Sequence, residues 1–157
     1  APLNIFTPEN ELPKTERSSD DNREYVVGGD GSYLEETHQH YVVILEADGS
    51  LSTALIAMKS TQLKKSRKWN SIIASRNLVG KNGPFTPPRY SHVYLLKTVS
   101  EENSKGSWHG WDISLVGQVE DMGLYGTAKG FAEAISTGGV EVKHQQDGSD
   151  RKDNAPF

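Results

Sequence analysis

Hydrophobic and polar residues alternate in two different periods along this chain, and the change of period marks its elements. Residues 40 to 46, His-Tyr-Val-Val-Ile-Leu-Glu, are rich in β-formers; Asp48-Gly49 supplies turn chemistry, and Leu51 to Met58 returns, which predicts a hairpin. The period then lengthens. Ser60 or Thr61 is placed to cap a helix reaching about Arg76, with Leu63, Ser66, Trp69, Ile73 and Ala74 on one side. Lys64, Arg67, Lys68, Ser71 and Ser75 fall on the other. Alternation resumes from Tyr90 to Val99, with Val93, Leu95 and Val99 facing one way and Tyr90, His92, Tyr94, Leu96 and Thr98 the other. A polar turn at Glu101 to Gly106 follows, and Trp108 to Val116 returns with Trp111, Ile113 and Leu115 sharing a face: a second hairpin. Glu120-Asp121 leads a last helix whose Leu124, Ala128, Phe131, Ala132 and Ile135 form an apolar stripe, closed by Gly138-Gly139.

The segments between carry neither period. Residues 1 to 22, with Pro2, Pro8, Pro13 and the run Ser18-Ser19-Asp20-Asp21, read as an irregular lead-in. Glu24 to Val27 is a short strand stopped by Gly28-Gly29-Asp30-Gly31, and Gly80 to Pro88 reads as a stiff loop carrying Lys81 and Phe85. From Lys143 the chain is polar until Ala155-Pro156-Phe157, the composition of a disordered tail. A length of 157 residues suits one domain, placed at residues 23 to 142. The order strand, strand, helix, strand, strand fits a β-rich α+β fold, an oligonucleotide-binding (OB)-like small barrel with a helix between strands and a C-terminal helix. Its first strand then has to come from Tyr25 to Glu36.

No acid occurs in the 52 positions from Gly49 to Ser100, where nine of the 17 basic residues lie; all 21 acids lie elsewhere. Ordinary surfaces mix both signs, so this segregation points to phosphate contact by Lys64, Lys65, Arg67, Lys68, Lys81, Arg89 and Lys97. Tyr90, Tyr94 and Trp108 either pack beneath the last helix or form a platform on which bases stack. Trp69, on the apolar helix face, reads as core. The expected partner is single-stranded DNA, bound without strong sequence preference.

Other chemistry finds little support. With no cysteine there is no disulfide framework and no thiolate ligand or nucleophile. His38 and His40 share one side of a strand as two metal ligands would, but no third ligand follows at diagnostic spacing, so no metal is expected. His109 and Asp112 have no nucleophile at a fixed spacing, and Gly80-Lys81-Asn82-Gly83 lacks the ending of a phosphate-binding loop. The expectation is a binding protein, not an enzyme, that needs no cofactor. The sequence has no apolar run of membrane-spanning length and no charged-then-apolar leader, so the cytoplasm is the expected location.

The segments Met58-Lys59-Ser60-Thr61-Gln62-Leu63-Lys64-Lys65-Ser66-Arg67-Lys68-Trp69, Phe85-Thr86-Pro87-Pro88 and Gly106-Ser107-Trp108-His109-Gly110-Trp111-Asp112 resemble a largely uncharacterised tailed-phage protein family. The resemblance runs from about Tyr41 to Val142. It implies a small protein of phage DNA replication or recombination, acting in the host cell cytoplasm. The ending Asp153-Asn154-Ala155-Pro156-Phe157 resembles the acidic tip of bacterial single-stranded DNA-binding proteins, although Arg151 and Lys152 interrupt the acids. That likeness implies recruitment of replication or repair proteins through Pro156 and Phe157. The rival reading is a phage interaction protein that binds a host enzyme, its acidic flanks mimicking nucleic acid. Self-association is compatible with either.

Overall fold

The computed structural model describes residues 12–140. The first part of the expected lead-in and the expected tail, with Pro156 and Phe157, lie outside the described residues. Three short strands, β1 (Thr15–Arg17), β2 (Glu24–Val26) and β3 (Tyr33–Leu34), form an antiparallel sheet of their own. Thr15–Arg17 is therefore a strand inside the segment expected to be irregular. Its Arg17 bonds Glu24 across the ladder at 2.7 Å, and Tyr25 and Tyr33 meet edge to face.

The first expected hairpin is present as β4 (Thr37–Leu45) and β5 (Leu51–Lys59), in register from Thr37 opposite Lys59 to Leu45 opposite Leu51. Asp48 and Gly49 make the turn; Gly49 has φ +84, a backbone conformation that glycine adopts without a side-chain clash. At the end of β5 the chain turns sharply through Ser60, which has φ 52, into a 3₁₀ turn, Ser60–Gln62. Helix α1 (Leu63–Ala74) follows. Neither Ser60 nor Thr61 caps it: the residue before α1 is Gln62, whose side chain makes no capping bond but accepts instead from the backbone N–H of Trp111 at 2.9 Å. Of the predicted apolar face, Ser66, Trp69 and Ile73 are buried and Ala74 is exposed.

The expected stiff loop contains a two-strand ladder, β6 (Leu78–Gly80) with β7 (Gly83–Phe85). A helical turn at Arg89–Ser91 leads into β8 (His92–Asn103), which pairs with β9 (Gly106–Gln118). This second hairpin is longer than expected because Glu101 and Glu102 remain in the ladder, leaving Ser104 and Lys105 as the turn. A register shift between Val93 and Tyr94 sets Tyr94 opposite Leu115, so Tyr94 and Leu96 face the core beside Trp111 and Ile113 while Leu95 is 44% exposed. Helix α2 (Met122–Ser136) begins at Asp121, whose carboxylate accepts from the backbone N–H of Leu124 at 2.7 Å. It ends at Gly138, φ +73, where Gly138 and Gly139 donate back to Ile135 and Ala134.

The core is where α1 sits against both hairpins. Met58, Trp69, Ile73 and Ile113 are buried, and Val42, Ile56, Tyr94, Leu96 and Trp111 pack around them. The architecture is β-rich with two helices and several small antiparallel sheets, and among the described residues no sheet closes into a barrel. Two causes account for this departure from the expected OB-like barrel. The Tyr25 to Glu36 region pairs with β1 rather than extending β4, and Trp69 and Ile73 of α1 fill the seam that would join the hairpins.

Candidate nucleic-acid interface

Helix geometry sets the stage for the cations, since residues advance about 100° each around α1. Burial of Ser66, Trp69 and Ile73 fixes one face inward, so Lys64, Arg67 and Lys68 stand on the exposed side. Lys65 and Asn70 occupy the two flanks.

On the Lys65 flank the structure builds a lock. Lys65 Nζ lies 2.6 Å from Glu101 Oε1, and Glu101 Oε2 accepts from the indole N–H of Trp108 at 2.9 Å and from Gln62 at 3.3 Å. These contacts hold the Glu101 carboxyl below the ordinary glutamate value, Lys65 contributing most and Trp108 next. The carboxylate passes directly over Gly110, where any side chain would displace it.

On the Asn70 flank a second polar group ties β4 to the helix. The Ser66 hydroxyl, fully buried, lies 2.8 Å from His38 Nδ1 and 2.7 Å from His40 Nε2. One hydroxyl proton serves two imidazoles, so Ser66 donates to one ring and accepts from the other. His38 Nε2 is 2.9 Å from Glu36 Oε1, and Arg67 reaches the same oxygen at 3.4 Å. Serine, histidine and glutamate in a row look like a hydrolytic triad, but a hydroxyl with no solvent exposure meets no substrate. The group is a tie between strand and helix. His40 stacks on Trp69 at 4.6 Å, and its pKa is pushed down by burial first, then by Arg89 and His38.

Beside this tie lies an open cavity of about 340 Å³ lined by His38, Gln39, His40, Asn70 and Arg89. Arg89 donates to Asn70 Oδ1 at 2.6 Å.

The predicted contact residues are thus dispersed. Lys64, Arg67 and Lys68 share the exposed helix face, Lys65 is committed to Glu101, and Arg89 joins the helix through Asn70. Lys81 is exposed on the β6–β7 turn and Lys97 is exposed on β8, so neither is brought onto α1. Of the rings, Tyr94 packs edge to face on Trp69 with its hydroxyl buried, Tyr90 meets Tyr125 of α2 at 5.4 Å, and Trp108 is half-buried against Glu101. The described acids Glu35 and Glu36, upstream of the acid-free stretch, and Glu101, immediately after it, fold back onto Lys59, Arg67 and Lys65. Among the described residues no cluster of three or more histidines and carboxylates is placed to hold a metal, and no helix is long and apolar enough to cross a membrane.

Over residues 2–141 the chain matches the family described as Pam3 phage gp34-like protein. It belongs to that family. Comparison with curated proteins and with solved structures returned no match. In this gp34-like chain the residues that sequence reasoning missed are the polar partners: Gln62, Ser66, Asn70 and the turned-back Glu36 and Glu101. His38 and His40, two apart on one side of a strand, were the available signal; as metal ligands they lacked a third at diagnostic spacing, and both rings turn onto Ser66.

Proposed function

We propose that this phage-family chain binds single-stranded DNA without strong sequence preference, in phage DNA replication or recombination within the host cytoplasm, with no chemistry of its own. One observation carries the reading: in a chain with more acids than bases, Lys64, Lys68 and Arg89 have no carboxylate within ion-pair distance among the described residues. Two of the three stand on one helix face beside Arg67, and the third is hydrogen-bonded to the same helix. Phosphates attract such cations and release counterions, which does not require the closed barrel of an OB fold. Arg67 contributes too, because its contact with Glu36 is exposed and long at 3.4 Å. Pro156 and Phe157 supply the second task, capture of a replication or repair protein.

Titration of a labelled oligonucleotide across a salt series tests this directly. Binding should weaken steeply with salt, and changing Lys64, Arg67 and Lys68 together to Ala should lower the logarithmic slope by about 0.7 for each phosphate that is no longer neutralised. Absence of binding at every salt concentration overturns the reading and favours the host-enzyme partner, which an acidic mimic would engage instead.

A further inference from the structure

The cavity between β4, α1 and the turn before β8 presents donors on three elements, and none of its five lining residues is acidic. Arg89 uses one N–H on Asn70 Oδ1, which orients the guanidinium and leaves its other N–H groups and the Asn70 amide N–H₂ available. His40 engages Ser66 through Nε2, and its Nδ1 makes no hydrogen bond among the described residues. The other face of its ring is closed by Trp69, on which Tyr94 packs in turn, and neither of these residues lines the cavity. The donors that do line the cavity, on Arg89 and Asn70, meet no carboxylate among its lining residues, so the recess is short of acceptor oxygens. A tetrahedral oxyanion supplies them.

We propose that this cavity is a phosphomonoester site, held by Arg89, Asn70 and His40, and that it takes the terminal phosphate of a nucleic-acid strand. The identity of the strand as bearer rests on the nucleic-acid reading above; the phosphate chemistry does not. A monoester brings three free oxygens and a second negative charge, and it has one ester link to lead out through the open side. An internal diester has two free oxygens and two chain exits, which suits the exposed face of α1 better than a recess. Arginine's planar fork matches two phosphate oxygens at once.

The groups facing His40 also give the site a proton linkage. On its own strand stands His38, with Glu36 beyond it; from α1 come Ser66, Trp69 and Asn70, with Arg67 held on Glu36; from the turn comes Arg89, and from β8 comes Tyr94. Burial, then Arg89 and His38, push the His40 pKa down when the cavity is empty. A dianion offsets the charge of Arg89 and stabilises the imidazolium, so binding takes up a proton and is stronger at about pH 7 than at about pH 8, a range in which the monoester stays mainly dianionic.

The test compares one oligonucleotide carrying a 5′ phosphate, a 3′ phosphate or neither, with inorganic phosphate and a nucleoside monophosphate followed separately by the His40 ring resonances. We expect about tenfold tighter binding of one phosphorylated form, equivalent to about 1.4 kcal/mol. Arg89→Lys, which keeps the charge and loses the fork, should abolish that ratio, while Lys64→Ala with Lys68→Ala should weaken all three strands and preserve it. Equal affinity of the three strands overturns the strand-end site and leaves general DNA binding standing. If no strand binds but the mononucleotide shifts His40, the phosphomonoester chemistry holds and the strand is overturned as its bearer. If neither phosphate nor mononucleotide moves the His40 resonances, the site itself is overturned.

Discussion

Lys65 and Glu101 meet at 2.6 Å, so the first acid after the 52-residue acid-free stretch turns back to neutralise a cation inside it. The segregation of charge along the chain is therefore stronger than the segregation on the folded surface. Lys59 and Arg67 are met in the same way by Glu35 and Glu36 from the other end.

Replacing Glu101 with Gln should release Lys65 while keeping a group of the same shape for Trp108. Oligonucleotide affinity should rise at low salt and scarcely change at high salt, where exposed charge is screened. Because the Glu101 carboxyl titrates below the ordinary glutamate value in the folded protein, its contribution to stability is full above that value. It is lost as pH falls through the lowered one. Melting curves of the wild type and Glu101→Gln should differ at neutral pH and converge in acid.

Met58 is 0% exposed between the two hairpins and α1, and its truncation opens a hole at the centre of a small core. Met58→Ala should cost about 2–5 kcal/mol in urea unfolding, against a change within about 0.5 kcal/mol for Leu95→Ala on the exposed side of β8. Equal losses would show that the core lies elsewhere.

His40 couples stability to pH with the opposite sense from a salt-bridged histidine. Its folded pKa lies below its ordinary value, so the unfolded chain binds the proton first as pH falls. Stability should therefore decline as pH drops from the ordinary histidine value toward the lowered folded one, and be level above it. His40→Asn should flatten that slope in part, since His92, also lowered by burial and by Arg76, contributes in the same direction. Chemical denaturation at a series of pH values measures both.

Asp121 caps α2, and α2 covers Tyr41 through Phe131 and Tyr90 through Tyr125. Asp121→Ala should cost about 1 kcal/mol, and Asp121→Asn much less because asparagine is as good a cap. Tyrosine fluorescence or hydrogen exchange of α2 would report the loosening at its first turn.

Local pattern made most elements legible. Asp48-Gly49 between β-forming runs, and Ser66, Trp69 and Ile73 at helical spacing, led to β4–β5 and α1 because each signal is complete within a few residues. The Gly138 terminus was equally local. What stayed hidden depends on partners far apart in sequence. Nothing near Gln62 reveals that its side chain satisfies the backbone N–H of Trp111, 49 positions away, rather than a helix start. Barrel closure was misjudged for the same reason, since strand order alone does not say which strand the Tyr25 region will pair with. Tyr94 was ambiguous until the shift after Val93 set its ring against Trp69, and Arg89 gained its meaning only beside Asn70 and His40.

Every ladder among the described residues joins strands that are neighbours in sequence. Each hairpin can therefore zip from its own turn without first closing a long loop, and the entropic toll of bringing distant segments together falls on helix docking, the seating of α1 between the hairpins and of α2 on Tyr41 and Tyr90. A β-rich chain built this way should fold faster than sandwiches or barrels of its length. Its rate-limiting step should respond to changes at Trp69 and Ile73, and little to changes within either turn.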